Sequence, residues 1–162
     1  MSASTVTAIS AVVIAVASLV VSVYEARAAR THNRLAVQPL LGLTTTFPVG
    51  GTAGLRLRNS GLGPAKITRS TMMLDSAPFG DLSRASVDKL RKDLSPRPHA
   101  VTLGGQPFLD TDYDQFLLRI DSYDPDAHGE FRDLIEHRLQ IEIQYSSLYG
   151  ERFTAGHGHP PD

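Results

Sequence analysis

The chain contains no cysteine among its 162 residues. A disulfide framework, a thiolate nucleophile, an iron–sulfur cluster and a cysteine zinc site are therefore excluded, and so is a lipoprotein anchor, since its lipid is carried by cysteine. The absence also favours a reducing compartment. A G-x-S-x-G nucleophile motif is missing as well, and the sequence shows no other catalytic signature. We therefore expect the protein not to be an enzyme and to need no cofactor.

Charge is absent from the first part of the chain. Between Met1 and Tyr24 there is no Asp, Glu, Lys or Arg, and most residues are Val, Ala, Ile, Leu, Ser or Thr. A helix of that length, at about 1.5 Å per residue, spans the roughly 30 Å hydrocarbon core of a bilayer. Arg27, Arg30 and Arg34 follow, and we expect them to lie among lipid headgroups. Residues 1–34 are thus predicted to form a transmembrane helix and a basic juxtamembrane segment.

Lys and Arg are also lacking before the apolar run, and this asymmetry predicts the orientation. The positive-inside rule keeps the arginines that follow the run in the cytoplasm of a bacterial cell, with the amino terminus outside the inner membrane and the folded domain inside. A cleaved signal peptide is the alternative, because Ala26-Arg27-Ala28 resembles a cleavage site. Signal peptides, however, begin with a basic region and have a shorter apolar run of about 7–15 residues. Under that alternative, the domain is an exported envelope β-sandwich.

Small side chains recur along one side of the predicted helix at spacings of three and four residues. Such a stripe lets a second helix approach closely, so it is a candidate seam for a homo-oligomer. The high content of Ala, Ser and Thr in this segment also produces such stripes by composition alone. The seam residues are Ala8, Ala11, Ala15, Ser18 and Ser22.

From residue 35 onward, short runs alternate apolar and polar residues, most clearly in LQIEIQYS at Leu139–Ser146. Helical patterns occur at Asp81–Leu94 and from Asp124, where an Asp-Pro pair suits the start of a helix. The chain shows no strand–helix alternation, so a doubly wound fold is disfavoured. We predict a mainly β fold, an immunoglobulin-like antiparallel β-sandwich with one or two short inserted helices, over residues 35–155. Residues 156–162 are predicted to form a flexible tail.

A glycine-rich segment, RNSGLGPAKIT at Arg58–Thr68, raises the question of phosphate binding. A phosphate loop needs backbone N–H groups that converge at the start of a helix. Here Pro64 has no N–H to donate, and the residues that follow have a strand pattern. We therefore predict a β-hairpin connection in which Gly61 and Gly63 adopt positive φ.

Three stretches carry a resemblance to a broad set of small bacterial single-pass membrane proteins. They are THNRLAVQPLL (Thr31–Leu41), NSGLGPAKI (Asn59–Ile67) and YSSLYGERF (Tyr145–Phe153). The resemblance implies one N-terminal membrane helix and an immunoglobulin-like domain. It implies no catalytic residues for this chain.

Acidic residues form the strongest candidate for a metal site. Asp110, Asp112 and Asp114 have the first ligand spacings of an EF-hand, but Gln115 occupies the place of the required glycine and a strand pattern follows. Solvated turn aspartates are the simpler interpretation. A metal-dependent hydrolase that uses the cluster between Asp110 and Asp126 is the enzymatic alternative.

The basic residues of the predicted strands have no interleaved aromatic residues, so we expect no nucleic-acid binding. We expect a membrane-tethered cytosolic module that binds a protein partner, or a second copy of itself, at the inner membrane surface. An exposed sheet edge is the expected docking mode, because its backbone groups are unpaired.

Overall fold

The computed structural model describes residues 3–105 and 108–158, and within its first helix it describes side chains from residue 11 to residue 29. The chain divides into two compact units, Met1–Ala36 and Val37–Asp162. Helix α1, Ala3–Ala36, accounts for the first unit and includes both the apolar run and the arginines after it. Its segment Ala11–Ala29, with a mean hydropathy of 1.8, is long and apolar enough to cross a membrane.

The second unit consists mainly of β-strands, and in runs such as Ala53–Asn59 and Leu139–Ser146 apolar residues recur at every second position. All strand pairs in its described residues are antiparallel. The described strands are β1 Leu41–Thr46, β2 Ala53–Asn59, β3 Ala65–Leu74, β4 Ala77–Gly80, β5 His99–Ala100, β6 Phe108–Leu109, β7 Asp114–Ile120, β8 Leu139–Ser146 and β9 Arg152–His157.

These strands form two sheets that share one hydrophobic core. The first sheet has the order β1-β2-β7-β5, and the second has the order β4-β3-β8-β9 with β6 paired to β3. Leu55 and Leu57 of the first sheet and Ile141 and Ile143 of the second belong to a single buried cluster. Each such side chain contributes about 1.5–3 kcal/mol by leaving water. The prediction of a mainly β, antiparallel domain after an apolar helix is confirmed.

Two short helices, α2 Arg84–Leu90 and α3 Gly129–Asp133, interrupt the strands, and a π-helical turn, Leu134–Arg138, follows α3. The predicted start of the second helix at Asp124 was wrong. The Asp124 carboxylate accepts a hydrogen bond from the Asp126 backbone N–H at 3.0 Å, and the Asp124 N–H donates to the His128 imidazole at 2.9 Å. The Asp124 carbonyl also accepts a hydrogen bond from the His128 N–H at 2.9 Å, so Asp124 caps a single turn that ends before the helix begins at Gly129.

The glycine-rich segment is not a β-hairpin, because β2 and β3 belong to different sheets. The prediction of positive φ was also wrong, since neither Gly61 nor Gly63 adopts it. A Cβ atom on Gly63 would overlap the carbonyl oxygen of Val37, and one on Gly61 would overlap that of Gln38. The glycines therefore allow the chain that enters β1 to pack closely against the connection between the sheets.

The buried side chain of Asn59 stabilises the packing of the chain before β1 against the connection between the sheets. The Asn59 carboxamide oxygen accepts hydrogen bonds from the backbone N–H groups of Leu40 and Gly61, both at 3.1 Å. Its NH₂ group donates to the carbonyl oxygens of Gly63 at 2.8 Å and Asp110 at 2.9 Å. All four hydrogen-bonding positions of the amide are thus used. A single residue joins the entry to β1, the connection to β3 and the loop before β7.

The last described strand extends further than predicted. Strand β9 ends at His157, two positions beyond the predicted domain boundary, and the His157 imidazole is 2.8 Å from the carbonyl oxygen of Ile135. The remainder of the predicted tail, from residue 159 to residue 162, lies outside the described residues.

Candidate protein-binding site

The three aspartates considered as candidate metal ligands lie at the start of β7 and in the loop before it. Asp114 opens β7, and its carboxylate is paired with the guanidinium of Arg56, with one Nη2–Oδ2 distance of 2.6 Å. The Arg58 guanidinium lies 3.8 Å from the same carboxylate. Asp110 and Asp112 are exposed in the preceding loop. Among the described residues, no group of three or more His, Asp or Glu side chains could hold a metal ion.

The residues predicted to face lipid or a second helix lie on α1. Their described side chains, Ala11, Ala15, Ser18, Ser22 and Arg27, are exposed. The side chains of Ala8, Arg30 and Arg34 lie outside the described set. The stripe of small residues and the arginines therefore stay predictions.

A gap in the pairing of β3 is the most distinctive feature of the domain surface. One edge of β3 is paired with β8 over most of its length. Along the other edge, β6 pairs with Ala65 and Lys66, and β4 pairs with Met72–Leu74. Within the described residues, the five residues between them, Ile67–Thr71, have no strand partner on that edge.

A cavity of about 710 Å³ occupies this gap. It is lined by Ile67–Thr71, by Gly80 and Asp81, and by Leu103–Gly105. Because successive strand residues point to opposite faces, a cavity that touches five in a row lies at the strand edge. In the described part of the chain, no backbone hydrogen bond joins Ile67–Thr71 to Leu103–Gly105. About every second residue of the open edge therefore presents its N–H and C=O groups to the cavity.

Two hydrogen bonds fix the wall opposite β3. The Leu82 backbone N–H donates to the Ser70 hydroxyl at 3.1 Å, and the Leu103 N–H donates to the Leu82 carbonyl at 3.0 Å. The first bond joins Leu82 to Ser70 within the unpaired edge, and the second joins Leu103 to Leu82. The cavity is therefore an open slot between β3 and these bonded segments.

The slot has one acidic and one basic side chain, Asp81 and Arg69, and they differ in whether the charge already has a partner. Asp81 accepts hydrogen bonds at 3.2 Å from the Ser83 N–H and from the Ser86 hydroxyl. The bonds from Ser83, followed by those from Ser86, hold the pKa of Asp81 below its usual range, so it is ionised and already bonded at neutral pH. Arg69 is exposed, and among the described residues it has no ion-pair partner. The unpaired charge of the slot is therefore positive.

Sequence reasoning missed this slot because it missed the two strands that bound it. β4 follows a tight turn in which Asp75 and Ser76 have φ of 51° and 64°. Two central residues with positive φ are the mark of a hairpin turn that suits the twist of its strands. The dipeptide Asp-Ser between apolar residues was the available signal for β4. β6 has only the two residues Phe108–Leu109 and offers no periodic pattern.

No protein-family model matches the chain, and no curated protein sequence matches it.

Proposed function

We propose that this protein is a membrane-anchored interaction module whose immunoglobulin-like domain binds an extended segment of a partner protein in the slot beside β3. The observation that carries the proposal is the five-residue unpaired edge, Ile67–Thr71, inside a cavity of about 710 Å³.

The strand order supports the immunoglobulin-like assignment. In that fold, one sheet has the order A-B-E-D and the other contains C-F-G. Here β1-β2-β7-β5 corresponds to the first sheet, and β3-β8-β9 corresponds to the second, with β4 beside β3. Each strand also occupies the position along the chain that this correspondence requires, with β6 as an addition before β7.

Strand addition is the binding mode that suits the slot. An extended peptide that pairs with a sheet edge gains main-chain hydrogen bonds, while its alternate side chains provide selectivity. Five strand residues correspond to a paired length of about 17 Å. Gly104 and Gly105 contribute no side chains to the opposite wall, which leaves room there for side chains of the bound segment.

The charge of the slot supports an acidic side chain in the bound segment. Arg69 offers a guanidinium with no ion-pair partner in the described residues, and this group favours bidentate contact with a carboxylate. Asp81, the acidic group of the lining, is already engaged by Ser83 and Ser86. We therefore propose an extended segment that contains at least one Asp or Glu.

The location we propose is the bacterial inner membrane, with the amino terminus outside and the domain in the cytoplasm. The apolar segment Ala11–Ala29 supports the anchor. Arg27, Arg30 and Arg34 follow its most apolar part and support the orientation, because arginines near the end of a span stay cytoplasmic.

Peptide selection on the full chain in lipid nanodiscs tests the binding mode. The probe is a displayed library of linear seven-residue peptides. We expect selected peptides to contain an acidic residue, to lose binding when alternate amides are N-methylated, and to slow hydrogen exchange at Ile67–Thr71.

Matched variants locate the binding. Gly105→Phe places a ring in the slot, where a Cβ atom meets nothing within 4 Å, and Gly42→Phe is its control because its Cβ position is equally open. Arg69→Glu reverses the slot charge, and Lys92→Glu reverses an exposed charge outside the slot lining. We expect Gly105→Phe and Arg69→Glu to weaken binding at least about tenfold, and the controls to change it little. Failure to select any binder, or equal binding by all four variants, would contradict the proposal.

A further inference from the structure

Several connections between strands meet at one end of the domain. Leu41 at the start of β1 pairs with Asn59 at the end of β2, and Arg58 pairs with Asp114 at the start of β7. In the second sheet, Lys66 near the start of β3 pairs with Ser146 at the end of β8. The entry to β1, the β2–β3 connection, the loop before β7 and the β8–β9 turn therefore lie at this end, which we call the entry end.

Exposed apolar side chains are concentrated at the entry end. Outside α1, six large hydrophobic residues are exposed in the described part of the chain, and five of them are at this end. Val49, 76% exposed, is the exception and lies in the β1–β2 connection at the opposite end. The five are Leu40 at 60%, Leu62 at 73%, Phe108 at 47%, Leu148 at 61% and Tyr149 at 51%.

The loops that carry these side chains are held by specific hydrogen bonds. Asn59 binds the backbone on both sides of Leu62, at Gly61 and Gly63. In the β8–β9 turn, the hydroxyl of buried Ser147 accepts from the N–H groups of Tyr149 at 3.2 Å and Glu151 at 3.3 Å. These exposed apolar side chains therefore lie on ordered turns. Their exposure to water is unfavourable, and docking would remove that cost.

We propose that the entry end docks on the interface of the bilayer that holds α1, and this inference rests on the proposed membrane anchor. Four residues, Val37–Leu40, connect the last residue of α1 to the first residue of β1. The five Cα–Cα steps from Ala36 to Leu41 span at most about 18 Å, and α1 continues for about 10 Å beyond Ala29, where its apolar segment ends. The entry to β1 therefore stays within about 30 Å of the end of that segment. Leu, Phe and Tyr are the side chains that favour the boundary between headgroups and acyl chains.

The attraction is apolar rather than electrostatic. Among the described residues of the second unit, exposed basic and acidic side chains at the entry end balance in number, three against three, when the Asp114–Arg56 pair is left out of the count. Docking therefore requires no anionic lipid and persists at raised salt, because exposed charges are screened and apolar contacts are not. The exposed charged residues are Arg58, Lys66, Arg152, Asp110, Asp112 and Glu151.

Docking would place the slot at a defined distance from the membrane surface. The open edge begins at Ile67, two residues beyond Ala65 at the start of β3. At about 3.4 Å per residue, the slot would extend from about 7 Å to about 20 Å from the entry end. A partner segment would then bind close to the membrane surface.

Tryptophan fluorescence in proteoliposomes tests the docking, because the native chain contains no Trp. Single variants Leu62→Trp and Leu148→Trp of the full chain are reconstituted in phosphatidylcholine brominated near the headgroup end of the acyl chains. Val49→Trp is the matched control on an exposed loop at the opposite end, and Val16→Trp reports the anchor. We expect quenching at Leu62 and Leu148 to exceed that at Val49 at least about twofold, with no loss at high salt.

The outcomes separate the two proposals. Quenching at Val16 with no more quenching at Leu62 and Leu148 than at Val49 would overturn the docking and leave the anchor. Absence of quenching at Val16 would overturn the anchor, while Leu62 and Leu148 would still report contact with lipid. A third outcome is a blue shift of the Leu62→Trp emission that grows with the protein-to-lipid ratio and is not accompanied by quenching by bromine. It would mean that the entry end contacts a second copy of the chain, and it would also overturn the docking.

Discussion

Asn59 provides the sharpest test of how the domain is held together. Its side chain is 2% exposed and makes four hydrogen bonds to backbone groups of Leu40, Gly61, Gly63 and Asp110. Asn59→Ala removes all four. A net contribution of about 0.5–1.5 kcal/mol per bond, reduced because water can replace the partly buried ones, gives a loss of about 2–4 kcal/mol. For a domain of this size, the midpoint of thermal unfolding should fall by about 8–15 °C.

Asn59→Asp separates hydrogen bonding from packing, because the carboxylate has nearly the same shape as the amide. It replaces the donating NH₂ group with an oxygen that faces the carbonyl oxygens of Gly63 and Asp110. Burial beside two carbonyl oxygens raises the pKa of the new carboxyl above its unfolded value, so the domain is less destabilised below about pH 4 than at neutral pH. We expect the loss at neutral pH to equal or exceed that of Asn59→Ala.

Near-ultraviolet circular dichroism of the full chain in detergent micelles measures these losses, since every tyrosine except Tyr24 lies in the second unit. Ser60→Ala, at an exposed position of the same segment, is the control and should change stability by less than about 0.5 kcal/mol. The reasoning is refuted if Asn59→Ala costs less than about 1 kcal/mol, or no more than the control does.

Two further predictions concern acid stability and topology. The Arg138 guanidinium bonds Asp75 through two contacts of 2.8 and 2.7 Å, and these bonds, above all, hold the pKa of Asp75 below its usual value. The pair therefore stabilises the fold above the unfolded pKa of about 3.9, and its contribution is lost as the pH falls through the lower folded value. Asp75→Asn should lower the unfolding midpoint near pH 6 and flatten its decline towards pH 3; an unchanged pH profile would contradict this. For topology, Thr44→Cys lies at an exposed position and Ser2→Cys lies at the amino terminus of a chain with no native cysteine. A membrane-impermeant thiol reagent on intact cells should label Ser2→Cys and spare Thr44→Cys, and the reverse pattern would mean that the domain is exported.

The sequence predicted the elements whose pattern is local. α1 was predictable because its apolar run has no charge, and β8 was predictable because Leu139, Ile141 and Ile143 alternate with polar residues and point into the core. The absence of Lys and Arg before the apolar run, with arginines after it, predicted the orientation of α1 in the membrane, and this stays a prediction. These signals depend on neighbours along the chain, so they do not need knowledge of the tertiary contacts.

The tertiary roles were not predictable in the same way. Gly61 and Gly63 indicated a turn. That they must lack a side chain follows only from the folded structure, in which the backbone of Val37 and Gln38 packs against them. Asn59 resembled an ordinary turn residue, because its four partners come from three separate segments. The slot depends on where β4 and β6 end along β3, and strand ends are the least local feature of a sheet.

An unpaired strand edge is normally a hazard, because it can recruit the edge of another sheet. In this domain the hazard is limited by geometry: β6 and β4 close the two ends of the gap, so a long strand from a second sheet cannot lie along it. A register shift between Ile67 and Arg69 interrupts the β3–β8 ladder on the opposite edge of β3, so the backbone at the start of the gap is irregular. The charge of Arg69 also disfavours apolar strands. What remains is a stretch of five edge residues, which under the proposed function would accept one short extended segment. The features that limit pairing with another sheet are thus the ones that the proposed acidic peptide would use.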